Sequence, residues 1–171
     1  ELAEKGKAFS VMALTDHDNT DGCRRFLDAC SRLDVKGVRL PGIELSIDPG
    51  EGYAIFHLLG LGIDSENAEL KAFLKRVLDG RNGRNARILE NFRRLGIEME
   101  NIFAYAHGEV LARPHFARWL MDHGYATDVK DAFAKYLLPD SPDATRCYEE
   151  RYHPSQAEAI GVIHGAGGLA V

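Results

Sequence analysis

Three ionisable side chains stand where an apolar pattern would not place them. His17 follows the apolar run from Phe9 to Leu14, Glu44 lies between Ile43 and Leu45, and His57 lies between Phe56 and Leu58. A carboxylate or imidazole buried without a partner costs several kcal/mol or moves its pKa. Each of the three therefore calls for a counter-ion, a hydrogen-bond network or a metal. Two histidines and one glutamate from neighbouring strands make a common divalent-metal shell. Asp16, beside His17, is placed to orient that ring or to relay a proton. Plainer readings stay open on spacing alone. Asp16 and Asp18 also suit a turn and a helix cap, a lone strand histidine also suits a hydrogen-bonded core, and Glu44 also suits an arginine partner. No short-range pattern such as HExxH or CxxC decides between them.

The elements that must carry these residues read as follows. Phe9 to Leu14 is a buried strand that feeds the Thr15-Asp16-His17-Asp18 loop. Thr20 or Asp21 caps a helix to about Leu33, with Phe26, Leu27, Cys30 and Leu33 on one face. Val38 to Leu40 is a strand that turns at Pro41-Gly42 and resumes through Ile47. Tyr53 to Ile63 is nearly all apolar and reads as a strand buried on both faces. Strand–helix–strand with buried strands predicts parallel β/α units, whose C-terminal strand ends gather residues around one crevice.

Beyond Asp64 the period becomes 3.6, with Leu70, Phe73, Leu74, Val77, Leu78, Ile88, Leu89, Phe92 and Leu95 in phase. Gly80 and Gly83 predict a kink or two separate helices. Residues 113–123 and 128–138 read as shorter helices, and Ser155-Gln156-Ala157-Glu158 as a capping box opening a helix to Gly165. The fold class is α/β: β/α portions over residues 1–64 and 151–171, with a helical insertion over 65–150. The first seven residues read as a helix tail and the last seven as a glycine turn opening a strand, so both ends look cut.

Composition narrows the function classes. Among 171 residues, 21 are basic and 26 acidic, a net charge of −5, and 45% are hydrophobic. That is a folding composition, and its sign argues against a dedicated binder of nucleic acid or of anionic membrane. No apolar run reaches the length of a membrane span. Cys23, Cys30 and Cys147 are too few for a disulfide framework, and Cys23 and Cys30 read as small buried hydrophobes in a reducing cytoplasm. One segment runs against the overall charge. Between Lys71 and Arg94 there are eight cations and two acids, a local balance of +6. This is either a solvated, salt-bridged helix face or a wall facing phosphate.

Taken together, Thr15-Asp16-His17-Asp18 with Asp21-Gly22, Pro41-Gly42-Ile43-Glu44-Leu45-Ser46, the His57-to-Asp64 segment and the Gly-rich tail resemble the PHP (polymerase and histidinol phosphatase) domain family. Arg113-Pro114-His115-Phe116-Ala117 and Ala132-Phe133 with Lys135-Tyr136-Leu137 resemble one branch of it: bacterial phosphoesterases acting on nucleoside 3′,5′-bisphosphates or RNA 5′ ends. The resemblance implies part of a distorted (β/α)7 barrel with an inserted helical cap, and two or three divalent ions, Mn, Fe or Zn. It implies His17, Glu44 and His57 as metal ligands, with Asp16 and His17 at the chemistry. Arg113, His115, Arg118 and Lys135 would bind substrate phosphate. It further implies a cytoplasmic hydrolase whose partner is a phosphorylated nucleotide or an RNA 5′ end. The family's remaining ligands are expected outside this sequence, an N-terminal His-x-His before residue 1 and a His-Pro after Val171.

Tyr136 and Trp119 read as core rather than as a base-stacking platform, and His107, His123, His153 and His164 have no motif support. Two other classes compete with the enzyme. One is a PHP-like module without catalysis; the other is a helical nucleic-acid binder using residues 71–94. Retention of all three ligands that this span can encode disfavours the first. The overall charge and the lack of interleaved aromatics disfavour the second.

Overall fold

The computed structural model describes residues 9–48, 50, 56–106 and 111–171. The expected helix tail over 1–7, most of the turn after Asp48, the start of the strand expected from Tyr53, and His107 lie outside the described residues. Among the described residues, four strands form one sheet in sequence order: β1 (Val11–Leu14), β2 (Val38–Ile47), β3 (Phe56–Leu61) and β4 (Leu169–Ala170). Among the described residues, five α-helices accompany them: α1 (Asp21–Arg32), α2 (Ala68–Arg94), α3 (Arg113–Asp122), α4 (Val129–Ala132) and α5 (Gln156–Gly165). A 3-10 turn spans Ile102–Ala106 and a π-helical turn Phe133–Leu137. The result is a mixed α/β fold.

The parallel expectation holds only where a helix makes the return. β1 and β2, joined through α1, pair in parallel. β2–β3 and β3–β4 are antiparallel. For β2–β3 the physical reason lies in the connection. The chain leaves β2 at Ile47 and enters β3 at Phe56. So short a link makes antiparallel neighbours, whereas a parallel pair needs a crossover of about a dozen residues or more.

β2 is also continuous through Pro41-Gly42, where a turn was expected. The glycine answers a different need. A Cβ at Gly42 would stand 2.9 Å from the carbonyl oxygens of both Leu14 and Gly60, and 2.8 Å from Thr15 Cγ2. Gly42 lets three backbone segments converge just before Glu44.

The chain falls into two compact units, residues 1–78 with 153–171, and residues 79–152. In the first, Ile43, Leu45 and Ile47 of β2 are fully buried and pack with Leu58, Ile63, Leu70, Phe73, Val77 and Ile163. Alternation along a strand then turns Glu44 and Ser46 to the opposite face. β3 behaves likewise, with Leu58 buried and His57 exposed, so it is not covered on both faces as its apolar sequence suggested. Phe26 and Cys30 of α1 pack with Met12 and Leu14. Ser155 caps α5 by accepting from Glu158 N.

In the second unit, Ile88, Phe92, Phe116, Trp119, Leu120 and Leu137 form a separate core. Trp119 is 3% exposed and its Nε1 donates to the Glu100 carbonyl at 2.9 Å, so it packs as core, as does Tyr136 against Phe92. α2 runs unbroken for 27 residues despite Gly80 and Gly83. A Cβ at Gly80 would meet Tyr152 Cβ at 3.0 Å, so this glycine admits a neighbour rather than ending the helix. No helix among the described residues is long and apolar enough to cross a membrane.

Candidate metal centre

The sheet register brings the three residues together. His17 bridges Glu44 in parallel across the end of β1. Glu44 pairs with Leu59, and Ser46 with His57. Glu44 and His57 are therefore diagonal neighbours on one face of an antiparallel pair, within reach of long side chains. One donor atom from each of His17, Glu44 and His57 lies within 4.8 Å of the others. His57 Nδ1 stands 2.6 Å and His17 Nε2 3.8 Å from the same carboxylate oxygen, Glu44 Oε1. The imidazole rings meet edge to face, centroids 4.8 Å apart. The Glu44 side chain is 24% exposed, while His17 and His57 keep about half of theirs open to solvent.

This donor set fits a divalent cation. Ligands about 2.0–2.2 Å from a zinc-sized ion lie roughly 3–3.5 Å from one another, and the observed contacts bracket that spacing. Two neutral imidazoles and one carboxylate leave a dication with positive charge in excess, which suits an anionic substrate.

The neighbouring acids divide. The Asp16 carboxylate turns toward α1, where its Oδ2 occupies the space 2.5 Å from a Cβ placed at Gly22. The Asp16 backbone carbonyl accepts from Glu44 N at 3.1 Å. Asp18, which the sequence marked only as a turn or cap residue, accepts from Ser46 N at 3.0 Å. Neither residue caps α1, since Thr20 stands at the N-cap and Asn19 Oδ1 accepts from Asp21 N. Burial and the nearby Asp16 and Asp21 charges push the Cys23 thiol up, against the lowering effect of its contact with the Gly42 carbonyl.

The remaining predicted residues belong to the second unit, where each has a local task. His115 Nδ1 accepts from Ala112 N at 2.9 Å and so caps α3. Lys135 donates to Asp131 at 2.7 Å, holding that carboxyl below the usual range. Arg118 is exposed on α3, and Arg113 lies over the Tyr148 ring at 5.4 Å. The basic segment is largely neutralised, by Lys71–Glu66, Arg76–Glu158, Arg87–Glu149 and the Arg93 and Arg94 pairs with Glu90. These pairs favour the salt-bridged face over a continuous phosphate wall.

Arg84 departs from that pattern. It is 4% exposed, and burial together with the charges of Arg113, Arg81 and Arg151 lowers its guanidinium to about 10. Arg151 was not singled out from sequence. Its only signal, a cation between acids and aromatics, is common on surfaces.

The chain is similar to known proteins over nearly all of its length. The chain is 35% identical over 175 residues to a 3′,5′-nucleoside bisphosphate phosphatase of Chromobacterium violaceum, covering 96% of this chain and 56% of that protein. It is 33% identical over 167 residues to the 5′-3′ exoribonuclease Rnm of Escherichia coli, covering 94% and 54%. A solved structure of an amidohydrolase from Chromobacterium violaceum, with bound sulfate and no metal, superimposes with a TM-score of 0.76 at 34% identity. That superposition covers 99% of this chain and 59% of the other. No protein-family model matches. The chain thus spans a little over half the length of the curated relatives it matches. Over nearly its whole length the chain is thus similar to a nucleoside bisphosphate phosphatase and a 5′-3′ exoribonuclease, the relatives that its resemblance to this PHP branch implies.

Proposed function

We propose that the protein containing this chain is a metal-dependent phosphoesterase acting on phosphorylated nucleotides or RNA 5′ ends. The convergence of His17, Glu44 and His57 within 4.8 Å carries the reading, and the named relatives support it. In this reading the three residues hold divalent ions, two or three in number and of the Mn, Fe or Zn type. Such ions lower the pKa of a bound water and shield phosphate oxygens in the transition state. Glu44 supplies the anionic ligand, and each histidine offers a ring nitrogen toward it. Asp16 and His17 are the proposed catalytic residues of this chain.

Arg113, His115, Arg118 and Lys135 are the proposed contacts to substrate phosphate. We further propose that residues 1–64 and 151–171 form part of a (β/α)7 barrel and residues 65–150 a helical cap.

The test uses the full-length protein. His17→Ala and Glu44→Ala are each expected to abolish phosphoester hydrolysis while circular dichroism and melting temperature stay near wild type. A chelator is expected to do the same to the wild type. Full turnover in either variant would refute the assignment.

A further inference from the structure

Two backbone bonds pin His17 to Glu44, one on either side. Glu44 N donates to the Asp16 carbonyl at 3.1 Å, and Asp18 N donates to the Glu44 carbonyl at 2.9 Å. A third connection comes from a side chain. The Asp18 carboxylate accepts from Ser46 N at 3.0 Å through Oδ1 and from Ser46 Oγ at 3.4 Å through Oδ2. Ser46 is 7% exposed and shares a sheet face with Glu44 and His57, its pairing partner. Asp18 itself holds φ at +53°, a left-handed conformation that aspartate, asparagine and glycine tolerate best.

We propose that Asp18 is a positioning residue for the metal centre, its carboxylate clamping the His17 loop to β2 at Ser46 so that His17 and Glu44 present their donors to one cation. Asp18 is not among the three residues whose donor atoms converge, so it acts through the ligands and not as one of them. Without the clamp, the loop beyond β1 rests on the backbone bonds that flank His17. The ring then samples a wider range, and the cation loses a preorganised ligand. Partners that fix metal ligands in this way typically contribute about 10- to 100-fold to affinity. The inference rests on the metal-site reading above.

Three variants of the full-length protein separate the roles of Asp18. Asp18→Gly keeps the left-handed backbone and removes the acceptor. Asp18→Asn keeps both an acceptor for Ser46 N and the backbone preference, and removes the charge. His17→Ala marks loss of the site. Co2+ is titrated into each apoprotein, followed by its visible absorption, and urea unfolding is recorded in parallel. Asp18→Gly is expected to weaken Co2+ binding about tenfold or more and to alter the band shape, with Asp18→Asn within about threefold of wild type. Urea midpoints should remain close across the set. Co2+ binding by Asp18→Gly equal to wild type overturns the clamp while leaving the metal centre standing. Equal weakening by Asn and Gly overturns the positioning role in favour of charge. Wild-type protein that takes up no Co2+, or takes it up as His17→Ala does, overturns the metal reading and the clamp together.

Discussion

At the scale of single residues, polar side chains in apolar surroundings carried the most information. Glu44 and His57 were legible because each interrupts an apolar run and strand alternation leaves such a residue only one face to occupy, and His17 because it stands in the polar loop that follows one. Asp18 was not legible, because its partner Ser46 is set by sheet register, and an aspartate in a TDHD loop suits a turn equally well. His115 has a capping role that can be measured apart from substrate binding. Removing its acceptor with His115→Phe should cost about 1 kcal/mol in urea unfolding, with His115→Gln recovering much of it. Cys147, fully buried, is pushed up by that burial to about 12, above the free thiol's ordinary value of about 8.5. The sign follows directly: this contribution is complete below about pH 8.5 and is lost as pH rises toward 12. Its slope cannot exceed about 1.4 kcal/mol per pH unit. The urea midpoint of wild type should therefore fall more steeply between pH 9 and 11 than that of Cys147→Ala.

At the scale of elements, helix periodicity and caps were readable, and the reasons for particular glycines were not. Gly42 looked like a turn because Pro-Gly commonly is one; its real constraint is the carbonyls of Leu14 and Gly60, from segments remote in sequence. Gly80 looked like a break in α2 for the same kind of reason, and Tyr152 is its true neighbour. Gly42→Ala should destabilise by about 1–3 kcal/mol, because two of the three close atoms are backbone oxygens that cannot rotate away. Denaturant unfolding checks the loss. Metal titration should show a second effect, since the displaced backbone leads straight into Ile43-Glu44.

At the scale of the whole molecule, charge separates the competing classes. The net charge is −5, and the basic stretch of α2 is largely paired with acids. A nucleic-acid binder would show affinity falling steeply with salt and indifferent to chelation. The phosphoesterase should instead lose turnover to chelator at every salt concentration and regain it with added divalent ion. Activity assays at two ionic strengths, with and without chelator, distinguish them.

α2 gives Leu70, Phe73 and Val77 to one core and Ile88 and Phe92 to the other. The division between units at residues 78 and 79 therefore falls inside an unbroken rod. Excising either half along that line would orphan about four carbonyls on one stump and four amides on the other. A fragment of this protein that leaves 68–94 whole is expected to keep more helix by circular dichroism than one cut between residues 78 and 79.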